Sequence, residues 1–352
     1  MYLIYAAVVT EGLESVATEH IGERLGNATG FRILAEKPGR IFFAYGGEPR
    51  QLLQLRAVEH VLLIVRRWRD MTRSRHALSN LQAGLGRIDF RTHFDICRKV
   101  GLKVRRRITF HVTAHMEGRR NYRRIDVQQA VEQALLGYGW RLAEDDAALD
   151  VWVEVLGDDA HVGIRLSPFT LAQRDYKQAH IPGSLPPTVA YSLVQLSNPQ
   201  PGDLFLDPMC GAGTILIERA LSGRYRYLLG GDIAQDAVEA ARTNIGRKHR
   251  PRQLFRWDAR ALPLSQWSVD KIVCNPPFGA QIATHRNIRP LYEKFLRESH
   301  RVLKPTGRLV LITTQRTMLD ELLNDALLFK VAQRLPLDLR GQRACVYLCF
   351  PR

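Results

Sequence analysis

The sharpest chemical signal is Asn275-Pro276-Pro277-Phe278-Gly279, directly after Asp270–Cys274, which reads as a strand. Two prolines make a rigid turn, so backbone carbonyls there point in fixed directions. The Asn275 side-chain oxygen and the Pro276 carbonyl can both accept from one exocyclic amine. That would hold the amine's hydrogens and aim its lone pair at an electrophile. Pro277 stiffens the turn, and Phe278 offers a face on which a planar base can stack. An ordinary proline turn is the bland alternative.

A second stretch, Leu204-Phe205-Leu206-Asp207-Pro208-Met209-Cys210-Gly211-Ala212-Gly213-Thr214, reads as strand, Gly-rich turn and helix start. Glycines let backbone approach a ligand closely, and a helix N-terminus presents free N–H groups. Asp207 at the strand end can accept from a ligand amino group, directly or through water. Asp232, with Ile233 after it, ends the next strand and suits two ribose hydroxyls. Asp258-Ala259 ends a third and suits an adenine amino group. Each aspartate alone is an ordinary cap or turn residue. At successive βα turns they define one site at the carboxyl edge of a sheet, where open α/β sheets bind ligands.

The elements that must position these residues fall into two styles. From residue 203 onward strands alternate with helices, the mark of a parallel sheet. Helices are expected at Gly213–Leu221, Gln235–Arg247, Arg289–Leu303 and Met318–Ala326, and a closing strand pair at Phe329–Arg334 and Arg343–Phe350. Residues 169–202 are proline-rich and read as a linker with one helix near Thr188–Leu196. The front of the chain reads as two α+β units, 1–50 and 51–168. The second holds a strand at Arg106–Thr113, a helix capped by Asp126 and closed by Gly137, and strands Asp150–Leu156 and His161–Leu166. No internal repeat is visible.

Composition bounds the partners. The 352 residues allow two or three domains at roughly 100–200 residues each. Lys+Arg number 51 against 35 Asp+Glu, a net charge of +16, which favours a polyanion such as nucleic acid. Residues 66–124 hold 17 cations and 4 acids. They include Arg105, Arg106, Arg107, Arg119, Arg120, Arg123 and Arg124, with Trp68 and Tyr122 interleaved as possible base-stacking rings. Guanidinium forks match phosphate oxygens and stack on bases, so RNA contact is expected here. The five cysteines form no Cys-x-x-Cys pair and no Cys/His cluster, so neither a disulfide framework nor a metal site is expected. Cys210 and Cys274 lack an adjacent base and read as core or turn residues. No window resembles a signal peptide or a membrane span, so a cytoplasmic monomer with no membrane partner is expected.

The two motifs together resemble the class I, S-adenosylmethionine-dependent amino methyltransferases of nucleic acid. The front half is similar to a THUMP domain preceded by a ferredoxin-like unit. Its cues are Gly12-Leu13-Glu14, Phe110 to Arg124, and Leu171-Ala172-Gln173-Arg174-Asp175-Tyr176-Lys177. The combination resembles the THUMP-containing RNA guanine-N2 methyltransferases over nearly the whole chain. The resemblance implies a C-terminal Rossmann-like transferase domain at 203–352 and a THUMP RNA-binding domain at 51–168. It implies S-adenosylmethionine held by Asp207, Pro208, Cys210, Gly211, Gly213, Thr214, Asp232, Ile233, Asp258, Ala259 and Asn275. A flipped guanine would lie on Asn275, Pro276, Pro277 and Phe278. Arg174 joins the arginines above on tRNA, whose acceptor stem (position 6) is the implied target. Some members of the acceptor-stem subfamily carry Leu in place of Pro276. The fuller Asn-Pro-Pro-Phe form also occurs in adenine-N6 and rRNA enzymes, so ribosomal RNA is the alternative substrate.

Two readings of other classes compete. A nicotinamide oxidoreductase wants a third small residue where Leu216 stands, and leaves the proline motif and arginines unexplained. A non-catalytic RNA-binding protein with a transferase-like fold would not need both motifs intact.

Overall fold

The computed structural model describes residues 2–69, 71–278, 288–339 and 341–352. The chain divides into two compact units, one of residues 1–9 and 18–171, the other of residues 10–17 and 172–352. The expected boundary at residue 50 therefore falls inside the first unit. The chain passes to the second unit after Leu171, inside the Leu171–Lys177 segment expected to close the RNA-binding domain.

In chain order the first unit contains β1 (Leu3–Val8), α1 (Glu14–Leu25, which starts in the second unit's segment), β2 (Arg32–Lys37), β3 (Arg40–Tyr45) and β4 (His60–Trp68). There follow α2 (His76–Leu85), α3 (Arg91–Lys99), β5 (Thr109–Met116), α4 (Arg124–Leu136), β6 (Arg141–Leu142), β7 (Leu149–Leu156) and β8 (Asp159–Arg165). All eight strands join one sheet in the order β2-β3-β1-β4-β8-β7-β5-β6. β1 pairs both β3 and β4, so the two expected front units share a sheet. β7 shows why the sheet has two different faces. Leu149, Val151, Val153 and Val155 alternate with Asp150, Trp152 and Glu154, so successive side chains go to opposite sides. Helix α4 begins two residues before the expected cap. Asp126 lies within its first turn, where its carboxylate accepts from the Arg123 N–H at 2.6 Å.

The second unit runs α5 (Pro187–Leu196), β9 (Leu204–Asp207), α6 (Thr214–Leu221), β10 (Tyr227–Asp232), α7 (Gln235–Ile245) and β11 (Arg252–Arg256). It continues β12 (Val269–Cys274), α8 (Ile288–Val302), β13 (Leu303–Thr313), α9 (Arg316–Ala326), β14 (Phe329–Leu339) and β15 (Gln342–Pro351). The sheet order is β11-β10-β9-β12-β13-β15-β14. The first five strands are parallel, and β15 is antiparallel between β13 and β14. The strands are apolar on both faces because helices cover both. Leu206, Ile272, Leu309 and Leu311 pack with Tyr292, Phe295 and Leu319 of α8 and α9. Phe205, Val273, Val310 and Ile312 pack with Val189, Ile215 and Ala241 of α5, α6 and α7. From β9 the chain steps outward through β10 to β11, then returns to the other side of β9 with β12. That reversal is where a doubly wound sheet opens a crevice at its carboxyl ends. Asp207 ends one of the two strands that flank it, and Asn275 directly follows the other.

Candidate active site

The Gly-rich turn after β9 is held from three directions. Gly211 and Gly213 have φ of +51° and +79°, a left-handed conformation that only glycine adopts freely. A Cβ at Gly213 would come within 3.2 Å of the Ala241 Cβ, so this residue also lets α6 pack closely on α7. The Gly211 N–H donates to Asp232 Oδ2 at 3.0 Å, and Asp232 Oδ1 accepts from the Ala234 N–H at 3.1 Å. Asp232 thus ties the two expected cofactor loops together. The Cys210 N–H donates to the Gly231 carbonyl at 2.9 Å, and its side chain is buried. The Pro208 carbonyl accepts from Trp257 Nε1 at 3.0 Å. Thr214 opens α6, its hydroxyl 3.3 Å from that of Ser184.

Asp207 is almost wholly buried, and burial, followed by the nearby Asp232 charge, pushes its carboxyl well above the usual range. Its Oδ1 accepts from the Met209 N–H at 3.4 Å. A carboxyl so placed shapes the turn from beneath. Burial likewise pushes the Cys210 and Cys274 thiols well up, as expected of core residues.

Asn275 follows β12, and its amide is oriented. Nδ2 donates to the Gly183 carbonyl at 3.1 Å. Oδ1 is buried and has no hydrogen-bond partner among the described residues. An unsatisfied buried acceptor is costly, by about 1–3 kcal/mol, unless a ligand completes it. The rest of the turn is clamped from behind. Tyr292 donates to the Pro277 carbonyl at 3.3 Å, and Gln315 Nε2 to the Phe278 carbonyl at 2.6 Å. Among the described residues, none donates to the Pro276 carbonyl. Gly279 lies outside the described residues. The structure therefore joins Gly211 directly to Asp232, and links Asn275 to Thr214 through the adjacent Gly183 and Ser184.

Four expectations change. Asp258 does not present a free carboxylate, because Arg260, two residues on, grips both of its oxygens, the closest contact being 2.6 Å. That hydrogen-bonded pair, against some opposition from burial, holds the Asp258 carboxyl below its usual range. Ala259 is buried in the core and Ile233 is exposed, so of this trio Ile233 offers the apolar surface a ligand can touch. Arg174, expected on RNA, lies 3.5 Å from fully buried Glu218, and its side chain is only 13% exposed. Tyr122, expected to stack on a base, is buried and donates to the Thr72 carbonyl at 3.2 Å. Trp68 is half-buried, with the Arg66 guanidinium over its ring at 5.5 Å.

The two arginine runs around β5 do not lie side by side. Arg105, Arg106 and Arg107 are exposed just before β5, and Arg119, Arg123 and Arg124 are exposed just beyond its other end. An eight-residue strand separates them by about 25 Å. Arg120 is spent inside the fold, donating to the Met71 carbonyl at 2.8 Å and to that of Gly157.

Sequence reasoning missed Asn244. This buried side chain in α7 accepts from the Gln178 and Ala179 N–H groups at 2.9 and 2.7 Å, and donates to the Ala179 and Ala212 carbonyls at 2.9 Å each. Its partners lie 65, 66 and 32 positions away, and no local signal points to them.

Comparison with known proteins fits this geometry. Residues 174–337 match UPF0020, the RMKL-like methyltransferase domain. A tRNA (guanine(6)-N2)-methyltransferase of Thermus thermophilus is 33% identical over 60% of this chain and 64% of its own length. The bovine tRNA (guanine(6)-N(2))-methyltransferase THUMP3 is 31% identical over 60% of this chain and 44% of its own length. The matched stretch is thus under two thirds of these curated relatives. The crystal structure of TrmN from Thermus thermophilus superposes with a TM-score of 0.80 at 26% identity, covering 99% of this chain and all of that one. Over residues 174–337, the chain is similar to the RMKL-like methyltransferase domain family.

Proposed function

We propose that this protein transfers a methyl group from S-adenosylmethionine to the exocyclic N2 amine of a guanine in tRNA, at position 6 of the acceptor stem. The observation that carries this is the buried, unpartnered Asn275 Oδ1, oriented by the Asn275 Nδ2 bond to Gly183 and followed in sequence by Pro276, whose carbonyl is a second acceptor. Two acceptors suit the two hydrogens of one amine. Two relatives named as guanine(6)-N2 enzymes of tRNA supply the base and the RNA.

The cofactor fits the residues present. The left-handed turn at Gly211 and Gly213 opens α6 at the carboxyl end of β9, and Asp232 at the next strand end is joined to it through the Gly211 N–H. When bound, S-adenosylmethionine supplies a methyl group already activated on a sulfonium. Gly211, Gly213, Thr214 and Asp232 would hold it, with Ile233 against its apolar surface. The protein's own work is positioning. The target base leaves its stack at a cost of a few kcal/mol, which Phe278 stacking offsets by about 1–3 kcal/mol. Asn275 and Pro276 then hold the amine in line, and its proton is lost to solvent after transfer. The first unit supplies RNA contact, as a THUMP domain over residues 51–168, through the exposed arginines at the two ends of β5. A cytoplasmic location suits that substrate, and among the described residues no helix is long and apolar enough to cross a membrane.

The experiment is transfer from labelled S-adenosylmethionine to unmodified tRNA and rRNA in separate reactions, with nucleosides identified by mass spectrometry. N2-methylguanosine from tRNA alone is expected. Label in rRNA, or in N6-methyladenosine, would overturn the substrate. Asn275→Ala should lower the transfer rate at least 100-fold with RNA affinity within twofold of wild type.

A further inference from the structure

Residues 178–184 belong to the segment expected to be a mere linker. In the structure they form a strap over the Gly-rich turn, fastened at successive points. Asn244 joins Gln178 and Ala179 to the Ala212 carbonyl. Ile181 covers Gly211 so closely that a Cβ on that glycine would lie 3.1 Å from the Ile181 Cδ1. The Ser184 and Thr214 hydroxyls are 3.3 Å apart. Gly183, with φ of +75°, gives its carbonyl to Asn275 Nδ2.

We infer that this strap orients the Asn275 amide toward substrate, and that Asn244 is the positioning residue that holds the strap in place. A carbonyl oxygen only accepts, so Gly183 admits the nitrogen end of the Asn275 amide and rejects the oxygen end. Oδ1 must then face the other way, where it is buried and unpartnered. Without the strap the two amide orientations become closer in energy, and one of them offers the incoming amine a donor instead of an acceptor. Asn244 suits its task by chemistry. It must accept from two N–H groups and donate to two carbonyls, and among side chains of its size only a carboxamide does both. A glutamine adds a methylene that a position 5% exposed does not accommodate. The same side chain grips the cofactor turn at Ala212, so one residue sets both halves of the site. The inference rests on the proposed role of Asn275 as amine acceptor.

The test compares Asn244→Leu and Asn244→Asp with wild type in the full chain. Aspartate keeps the acceptor for Gln178 and Ala179 but cannot donate to the Ala179 and Ala212 carbonyls. Three readouts are taken: amide hydrogen exchange over 178–184, single-turnover methyl transfer at saturating cofactor and tRNA, and tRNA affinity. For Asn244→Leu, exchange should quicken at least tenfold through Ser184. Transfer should slow at least tenfold, and tRNA affinity should stay within twofold. Asn244→Asp should recover part of the protection at 178–179 and part of the rate. Unchanged transfer in Asn244→Leu, exchange that quickens only at 178–179, or rate losses that merely track melting temperature across both variants would overturn the inference. Wild-type protein that methylates no RNA sinks the proposed function separately. The exchange pattern then still decides whether Asn244 holds the strap as far as Gly183 and Ser184.

Discussion

At the scale of single residues, the site is legible where chemistry and chain order coincide. Asn275, Pro276 and Phe278 lie in one run, so a joint purpose could be proposed from sequence alone. Asp258 could not, because its carboxylate is claimed by a neighbour in a way spacing does not reveal: Arg260 reaches back across one residue to pair with it. Asn275→Asp separates orientation from acceptor chemistry. Aspartate keeps an oxygen for the amine but sets a carboxylate against the Gly183 carbonyl, and single-turnover rates should fall about 10–100-fold with RNA affinity intact. Asp207 makes a prediction about pH. Its carboxyl is raised by burial, so the folded state holds a proton that the unfolded chain has already released. Stability should therefore decline as pH rises above the ordinary carboxylate range. Asp207→Asn should flatten that decline and raise the melting temperature most at the alkaline end. Melts of both proteins from pH 5 to 9 check this, and parallel curves would show that Asp207 is not the group responsible.

At the scale of elements, the parallel half was legible because its strands are short apolar runs between amphipathic helices, a pattern that burial on both faces imposes. The missed elements bury little of their surface. β2 is an edge strand, Arg32-Ile33-Leu34-Ala35-Glu36-Lys37, with none of its residues fully buried. Helix α3 is nine residues long, buries only Cys97 and lies inside the basic run, where its polar residues read as a charge cluster rather than as one face of a helix. The strap has no regular structure at all; its order comes from side chains far away in sequence. Within the first sheet, β3, β7 and β8 meet at a buried polar group that no pattern announced. Glu154, fully buried, accepts from Arg40 Nε at 2.9 and 3.0 Å and lies 2.7 Å from His161 Nε2. Burial alone would raise this carboxyl, but the Arg40 and His161 hydrogen bonds prevail and hold it down at about 2. Its contribution to stability is present above the usual glutamate range and lost as pH falls toward 2. Arg40→Met strands that buried charge and should cost about 3–5 kcal/mol, read as a loss of denaturation midpoint. A cost under 1 kcal/mol would mean that His161 and solvent suffice.

At the scale of the molecule, net charge pointed to nucleic acid, but it could not show that a run continuous in sequence is split in space. Because Arg105–Arg107 and Arg119–Arg124 lie at opposite ends of β5, their contributions to binding should add. Replacing Arg119, Arg123 and Arg124 by alanine should lower the slope of log affinity against log salt by about one for each phosphate left without its arginine. Replacing Arg105, Arg106 and Arg107 as well should lower it again by a similar amount. An unchanged slope in either set would remove that end from the RNA surface. The strand order of the second unit also governs how the protein is made. β15 lies inside its sheet, between β13 and β14, rather than at an edge. A ribosome that has released everything through Leu171 has supplied every strand of the first sheet. The second sheet must wait for Pro351, roughly 180 residues later. At typical elongation rates that interval is on the order of 10–40 s. Late in that interval, from the synthesis of β14 until Pro351 is made, β13 and β14 lack the neighbour that separates them, so the nascent chain carries unpaired strand edges long after its first sheet is complete.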